Sequence, residues 1–179
     1  RNDRRTMGWG AKGSNNDTLI SELSTLRTRS EDLYDNDPHA FSAHTTIYQS
    51  VVGTGLLPAI KDKTIKDYWT QWADSITCDF DEDLNFYGIQ ALAVQTMSVY
   101  GGCLILKVNV NTTKRLPLEL KVVNINMLDK TKDTYKQNAS EKTIKGGIQF
   151  LANGKKDGYW IYDADPSENA NVKSTFWKA

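Results

Sequence analysis

The stretch FYGIQALAVQTMSVYGGCLILKVNV, residues 86–110, carries the change of period that decides the fold. Phe86, Ile89, Ala93, Met97 and Tyr100 recur at three-to-four spacing, which is one stripe of a helix. Gly101-Gly102 then stops it, because glycine enters the left-handed terminal conformation without a steric cost. From Cys103 to Val110 the helical spacing is gone and the apolar run reads as a strand. Helices before this point and strands after it predict an α+β fold, about four helices followed by a small antiparallel sheet.

Upstream, Asn15, Asn16 and Asp17 offer an N-cap to a helix over about Thr18–Tyr34, with Leu19, Leu23, Leu26 and Leu33 as its buried stripe and Ser30 in the remaining position. Asp37-Pro38 ends that helix and starts another, since proline disfavours helix for the residue before it and suits a first turn. The second helix runs to about Val52, buries Ala40, Ala43, Ile47 and Val51, and stops at Gly53-Thr54-Gly55. Thr64 is placed to cap a third helix with Ile65, Trp69, Trp72 and Ile76 on one side, the tryptophans serving as anchors for a core or a neighbour.

Downstream, Leu116–Val122 alternates around Leu118, Leu120 and Val122, and Ile148–Leu151 is followed by Gly158–Tyr162 across the turn-rich loop Asn153–Asp157. The polar stretch 130–145 reads as a mobile loop. The resulting division is a flexible basic arm over 1–17, a helical part over 18–102 and a β-rich part over 103–179. Arg1 in place of Met, and an end at Asn171–Ala179 without cap or turn, point to a piece of a longer polypeptide.

Lysine plus arginine and aspartate plus glutamate each number 22, so the net charge is zero and no single-sign field can dominate. That argues against a general nucleic-acid binder. Charge is nevertheless segregated. Arg1, Arg4, Arg5 and Lys12 face only Asp3 within residues 1–12, whereas Asp74–Asp83 holds five acids and no base. No apolar run is long enough to cross a bilayer, and no signal peptide opens the chain. Cys78 and Cys103 therefore read as free thiols, with a disulfide as the alternative.

Each candidate for chemistry lacks a partner. Asp79, Asp81 and Asp83 alternate as calcium ligands do, but Leu84 and Gln90 stand where an EF-hand needs glycine and glutamate; an acidic helix N-terminus is the preferred reading. Cys103 follows two glycines as exposed nucleophiles do, yet it opens an apolar strand with no base nearby. His39 and His44 are five apart, off any shared helical face, and lack the glutamate of a zinc-protease helix. The glycines at 53, 55, 101 and 102 end helices and build no phosphate cradle. No catalytic residue, cofactor or metal is expected. The aromatic strand Tyr159, Trp160 and Tyr162, with the basic arm, leaves a small nucleic-acid-binding module as the alternative function.

Several phrases occur in an order that resembles the N-terminal part of portal proteins of tailed bacteriophages, in the branch typified by phage lambda. They begin with Leu26-Arg27-Thr28-Arg29-Ser30, Asp32-Leu33, Asn36-Asp37-Pro38 with Ala40, and Val52-Gly53-Thr54-Gly55 with Pro58. Trp69–Asp74 with Cys78-Asp79, Phe86–Gln90 running to Tyr100-Gly101-Gly102, Leu116–Leu120, Gly146-Gly147-Ile148 and Gly158-Tyr159-Trp160 follow. They cover most of residues 25–165. Two departures stand out: Gly102 occupies a position where the family often has an acid, and 130–145 matches nothing in the pattern.

The resemblance implies a structural subunit of a dodecameric ring at one capsid vertex, through which double-stranded DNA is packaged and ejected, with this chain contributing mostly outer wing. It implies terminase, which carries the ATPase, together with capsid, scaffold and head-completion proteins as partners. The implied location is the virion, reached through the host bacterial cytoplasm, with no membrane. On this reading Arg27, Arg29, Asp32, Asp37, Pro38, Gly53, Gly55, Trp69, Trp72, Asp79 and Gly101 define the fold or a subunit interface. From their charge beside Trp9, Arg1, Arg4, Arg5 and Lys12 read either as an arm that touches DNA or an acidic partner or as a disordered, solvated terminus.

Overall fold

The computed structural model describes residues 15–110, 116–133, 142–166 and 172–179, with side chains from Glu22 onward. Among these, helices α1 (Asn15–Asn36), α2 (Pro38–Val52), α3 (Lys63–Ala73) and α4 (Phe86–Tyr100) precede two antiparallel sheets. Strands β1 (Cys103–Asn109) and β2 (Leu118–Asn124) form one sheet. Strands β3 (Thr143–Lys145), β4 (Ile148–Phe150), β5 (Lys156–Tyr162) and β6 (Ser174–Lys178) form the other, in that order. The architecture is α+β. Of the expected arm over 1–17, residues 1–14, with Arg1, Arg4, Arg5 and Lys12, lie outside the described residues, and Asn15–Asp17 open α1.

Local chemistry sets the helix ends. The Asp37 carboxylate accepts from the His39 amide at 2.8 Å, with Pro38 in the first turn of α2. Asn85 caps α4 by accepting from the Gly88 amide at 2.9 Å, and Gly101, at φ 79°, closes it with a left-handed turn. At α3 the cap is Asp62, which accepts from the Ile65 amide at 3.0 Å, and not the expected Thr64. A carboxylate one residue before the helix reaches an N3 amide that Thr64, already inside the first turn, cannot reach.

Two cores share strand β2. Trp72, Ala73, Cys78 and Ile89 form the first, joined by Trp69, Leu84, Phe86, Tyr87 and the alternate residues Leu118, Leu120 and Val122. Because successive strand side chains point to opposite faces, Val123 enters the second core with Leu106 and Ile161. The Trp72 indole donates to the Leu118 carbonyl at 2.8 Å, tying α3 to β2. Leu128 bridges to Ile161, which links the turn after β2 to the larger sheet.

Several expected stripes are corrected. On α1 the covered side holds Leu23, Arg27, Ser30 and Tyr34, while Leu26 and Leu33 are exposed. On α2, Ala40, His44, Tyr48 and Val52 turn inward, and Ala43, Ile47 and Val51 face out. Met97 of α4 is exposed and Thr96 and Val99 take its place; Ile65 and Ile76 are exposed as well. Thr143–Lys145, expected inside a mobile loop, is a strand, and Ser174–Lys178, where no element was expected, pairs with β5 from Tyr162↔Ser174 to Gly158↔Lys178. Residues 134–141 of that stretch lie outside the described set.

Gly55 sits at φ 99°, and a Cβ there would overlap the Tyr87 ring. Gly154, at φ 82°, has open space around it. Left-handed backbone alone costs a non-glycine residue about 1–2 kcal/mol. Gly55→Ala should therefore lose distinctly more stability than Gly154→Ala in urea unfolding. Equal losses would show that the approach of Tyr87 to this turn contributes nothing.

Candidate functional site

The last carbonyls of any helix lack intrahelical donors. On α4 they are met from α1: the Ser30 hydroxyl donates to the Val99 carbonyl at 2.7 Å, and Arg27 Nε donates to the Tyr100 carbonyl at 2.9 Å. A guanidinium there also faces the negative end of the helix dipole. Arg27 Nη1 continues to Asn126 Oδ1 at 3.3 Å, in the short 3-10 turn Ile125–Met127 after β2. One side chain, 9% exposed, thus joins α1, α4 and the sheet. Burial pushes the Arg27 guanidinium below its ordinary pKa. The Tyr100 hydroxyl donates to Glu31 Oε1 at 2.6 Å, and burial together with this carboxylate pushes the phenol up.

The other residues singled out from sequence sit at separate joints. Arg29 and Asp32 lie on the exposed side of α1, where Asp32 accepts from Asn36 at 2.8 Å. Asp37 and Pro38 start α2; Gly53 caps it, Gly55 admits Tyr87, and Gly101 caps α4. Trp69 and Trp72 lie with Phe86 in an aromatic cluster with centroids 5.1–5.3 Å apart. The structure does not gather these residues into one cleft.

Of the candidates for chemistry, Asp79 and His44 are engaged in structure and Asp81, Asp83 and His39 are exposed. Asp79 is buried and its Oδ2 accepts from the amides of Asp83 at 3.2 Å and Leu84 at 3.1 Å, so it folds the acidic loop, while Asn85 serves the helix end. Asp81 and Asp83 are exposed, and no group of three or more His, Cys, Asp or Glu among the described residues could hold a metal. Both cysteines are free. Burial, then the charge of Asp79, pushes the Cys78 thiol up to about 11, and burial raises Cys103 too, so neither is primed as a thiolate. His44 Nδ1 lies 2.9 Å from the Ser98 hydroxyl, between α2 and α4, whereas His39 is exposed. Tyr159 packs against the second core and Trp160 against Phe176, centroids 5.4 Å apart, which leaves no open ladder of rings for bases.

A cleft of about 520 Å³ opens beside Asp129, Thr131, Lys132, Tyr162 and Lys173. The one buried carboxylate in it is already satisfied: Asp129 Oδ1 accepts from the Thr131 amide at 3.1 Å, the Thr131 hydroxyl at 2.6 Å and the Tyr162 hydroxyl at 2.7 Å. Burial alone would raise its pKa, but the hydrogen bonds from Ser174, Thr131 and Tyr162 outweigh it and hold the acid below its ordinary value. The cleft is a knot that fixes the turn after β2 to β5 and β6.

The largest feature that sequence reasoning missed is on α2 and the loop after it. Phe41, Ile47, Val51, Leu56 and Leu57 are all exposed. A signal for it was present: Pro38–Ile60 contains no aspartate, glutamate, lysine or arginine, in a chain that is 25% charged.

Residues 2–179 match the model of the family described as phage portal protein, lambda family. The chain belongs to that family. The match extends beyond the phrases of residues 25–165 at both ends and includes β6. Among the curated proteins compared, none matches the chain. Portal proteins are structural components of the phage, which accords with a molecule whose conspicuous polar groups serve as joints. No described helix is long and apolar enough to cross a membrane.

Two consequences are measurable on this portal chain. Arg27→Met removes donors from the Tyr100 carbonyl and Asn126 and should lower unfolding stability by about 2–3 kcal/mol, whereas Arg29→Met, on the exposed side, should change it by less than about 0.5 kcal/mol. Urea titration of both variants decides whether Arg27 is the joint described. Asp129 has a folded pKa below its unfolded one. Its contribution is fully present above the ordinary aspartate value of 3.8 and is lost as pH falls through the folded value. The urea midpoint of Asp129→Asn should accordingly vary less with pH below about 4 than that of the unsubstituted chain.

Proposed function

We propose that this chain forms part of the wall, mostly outer wing, of a homo-oligomeric, dodecameric portal ring at one capsid vertex that forms the channel for double-stranded DNA. The observation that carries this reading is the family match over residues 2–179. The zero net charge supports it, since a channel that gripped phosphates through many lysines and arginines would hold DNA that must slide. Terminase would supply the ATPase, and capsid, scaffold and head-completion proteins would complete the partners, within the virion and, during assembly, the host bacterial cytoplasm. No enzymatic activity or cofactor is assigned to the chain.

Within the wall, Arg27, Asp37, Pro38, Gly53, Gly55, Trp69, Trp72, Asp79 and Gly101 would fix the subunit's shape, because each holds a joint of the fold. Arg29 and Asp32, exposed on α1, would be available to a neighbouring subunit. Arg1, Arg4, Arg5 and Lys12 would form an arm ahead of α1, able to touch DNA or an acidic neighbour, followed by the helical part and the β-rich part over 103–179. Multi-angle light scattering and negative-stain electron microscopy of the full-length parent should show a closed ring of many subunits. A parent that stays strictly monomeric at assembly concentrations overturns the proposal.

A further inference from the structure

Zero net charge conceals two opposite halves. Residues 18–102 carry five basic against twelve acidic side chains, and residues 103–179 carry thirteen against eight. The positive excess gathers at one end of the larger sheet. There the start of β5 pairs with the ends of β4 and β6, Phe150↔Lys156 and Gly158↔Lys178, and Thr143 at the start of β3 lies opposite Phe150. Register thus brings Lys142, Lys155, Lys156 and Lys178 to the same end, all of them exposed. Asp157 beside them accepts from Lys142 at 2.8 Å and from Gln149 at 2.7 Å. Those hydrogen bonds, and then the charges of Lys142 and Lys178, hold it below its ordinary pKa. Lys155, Lys156 and Lys178 form no ion pair among the described residues.

The negative excess is densest in the loop between α3 and α4. Asp79 faces inward and folds it, which leaves Asp74, Asp81, Glu82 and Asp83 exposed. Their charges do not serve the dipoles of the neighbouring helices. Helix α4 is capped by Asn85 with no acid in its first turn, and α3 has Lys63 and Lys66 in its first turn and Asp74 at its C-cap, the reverse of what its dipole favours. Lys121 lies 3.9 Å from Asp81 with both side chains part-exposed, so it offsets little. The loop lies against β2, where the Phe80 amide donates to the Leu120 carbonyl at 2.9 Å, whereas the lysines belong to the other sheet.

One subunit therefore presents two unlike surfaces of opposite sign. A heterologous contact, the kind that closes a ring, joins two different surfaces, and opposite charge gives this pair its order and orientation. DNA would suit the lysines and leave the acidic loop without a partner. The residues outside the described set hold seven bases and three acids, so in sum they add to the positive side and do not neutralise the lysine end. We infer that the lysine end of the larger sheet of one copy docks on the acidic loop of the next. The inference rests on the ring reading and deepens it by naming the two surfaces that meet.

The test uses the full-length parent in two charge reversals, Lys155→Glu/Lys156→Glu and Asp81→Lys/Asp83→Lys, at about 0.05 M salt, where exposed charges are weakly screened. Light scattering should show the ring fraction falling about tenfold in each variant alone, with circular dichroism unchanged. Mixed in equal amounts, the two variants should regain rings, because the reversed lysine positions of one then face the reversed acids of the other, and unsubstituted surfaces complete the alternation. A charge met within its own chain, by any other segment of the parent, gives no such recovery. Folded variants that each form full rings overturn the inference, as does a mixture that stays without rings. A lysine variant that keeps its rings and loses affinity for DNA overturns it in favour of nucleic acid. A wild-type parent without rings overturns the ring reading and this inference together, so the unsubstituted protein tells the two failures apart. Should the reversals unfold, Lys155→Gln/Lys156→Gln and Asp81→Asn/Asp83→Asn decide: rings that weaken less with added salt than those of the wild type support the contact, and an unchanged salt dependence overturns it.

Discussion

Helix α4 is the element on which the rest of the subunit is assembled, and its C-terminal carbonyls are the constraint. Buried carbonyls without donors are costly, by about 1–3 kcal/mol each. Here the donors come from a different helix, Ser30 and Arg27 of α1. Satisfying α4 therefore fixes where α1 lies, and because Asp37 alone separates α1 from α2, it also limits where α2 can go. The same guanidinium reaches Asn126, so the turn after β2 is held relative to both helices. Three elements distant in sequence acquire one geometry from one side chain.

The sheet side is organised around β2 in a comparable way. Its alternate residues Leu118, Leu120 and Val122 belong to the helical core, and Val123 belongs to the core shared with β5 and β6. A strand with apolar residues on both faces cannot be solvated on either, which forces helices to one side and the larger sheet to the other. Asp129 then fixes the exit from this strand: its carboxylate gathers Thr131 and Tyr162 while its amide donates to the Trp160 carbonyl at 2.9 Å. Arg27, Asp79 and Asp129 are thus taken up in holding the fold.

What could be read from sequence was mainly what is decided locally. Asp37-Pro38, Gly101 and the change of period at Cys103 mark boundaries because capping and left-handed termination depend on a few adjacent residues. Which side of a helix is covered depends on distant partners. On α1 periodicity pointed to Leu23, Leu26, Ser30 and Leu33; Leu23 and Ser30 are covered, but Arg27, chosen like Ser30 for its hydrogen bond to α4, is buried where Leu26 and Leu33 are not. Strand β3 is three residues long, too short for any alternation to register, and β6 is recognisable only through its pairing with β5. Asp79 illustrates the same limit: its alternation with Asp81 and Asp83 suggested a shared role, and the loop's backbone uses only Asp79.

The misread stripe on α2 has a different origin. Ala43, Ile47 and Val51 are spaced as a buried stripe should be, and among the described residues nothing covers them. Binary patterning reports burial in the state in which a protein functions, and it does not separate burial within one chain from burial between chains. An uncharged segment of this length is unusual for a solvated surface. The described residues account for one side of α2, through Val52 and His44, and leave Ile47, Val51 and the pinned leucines that follow at the surface.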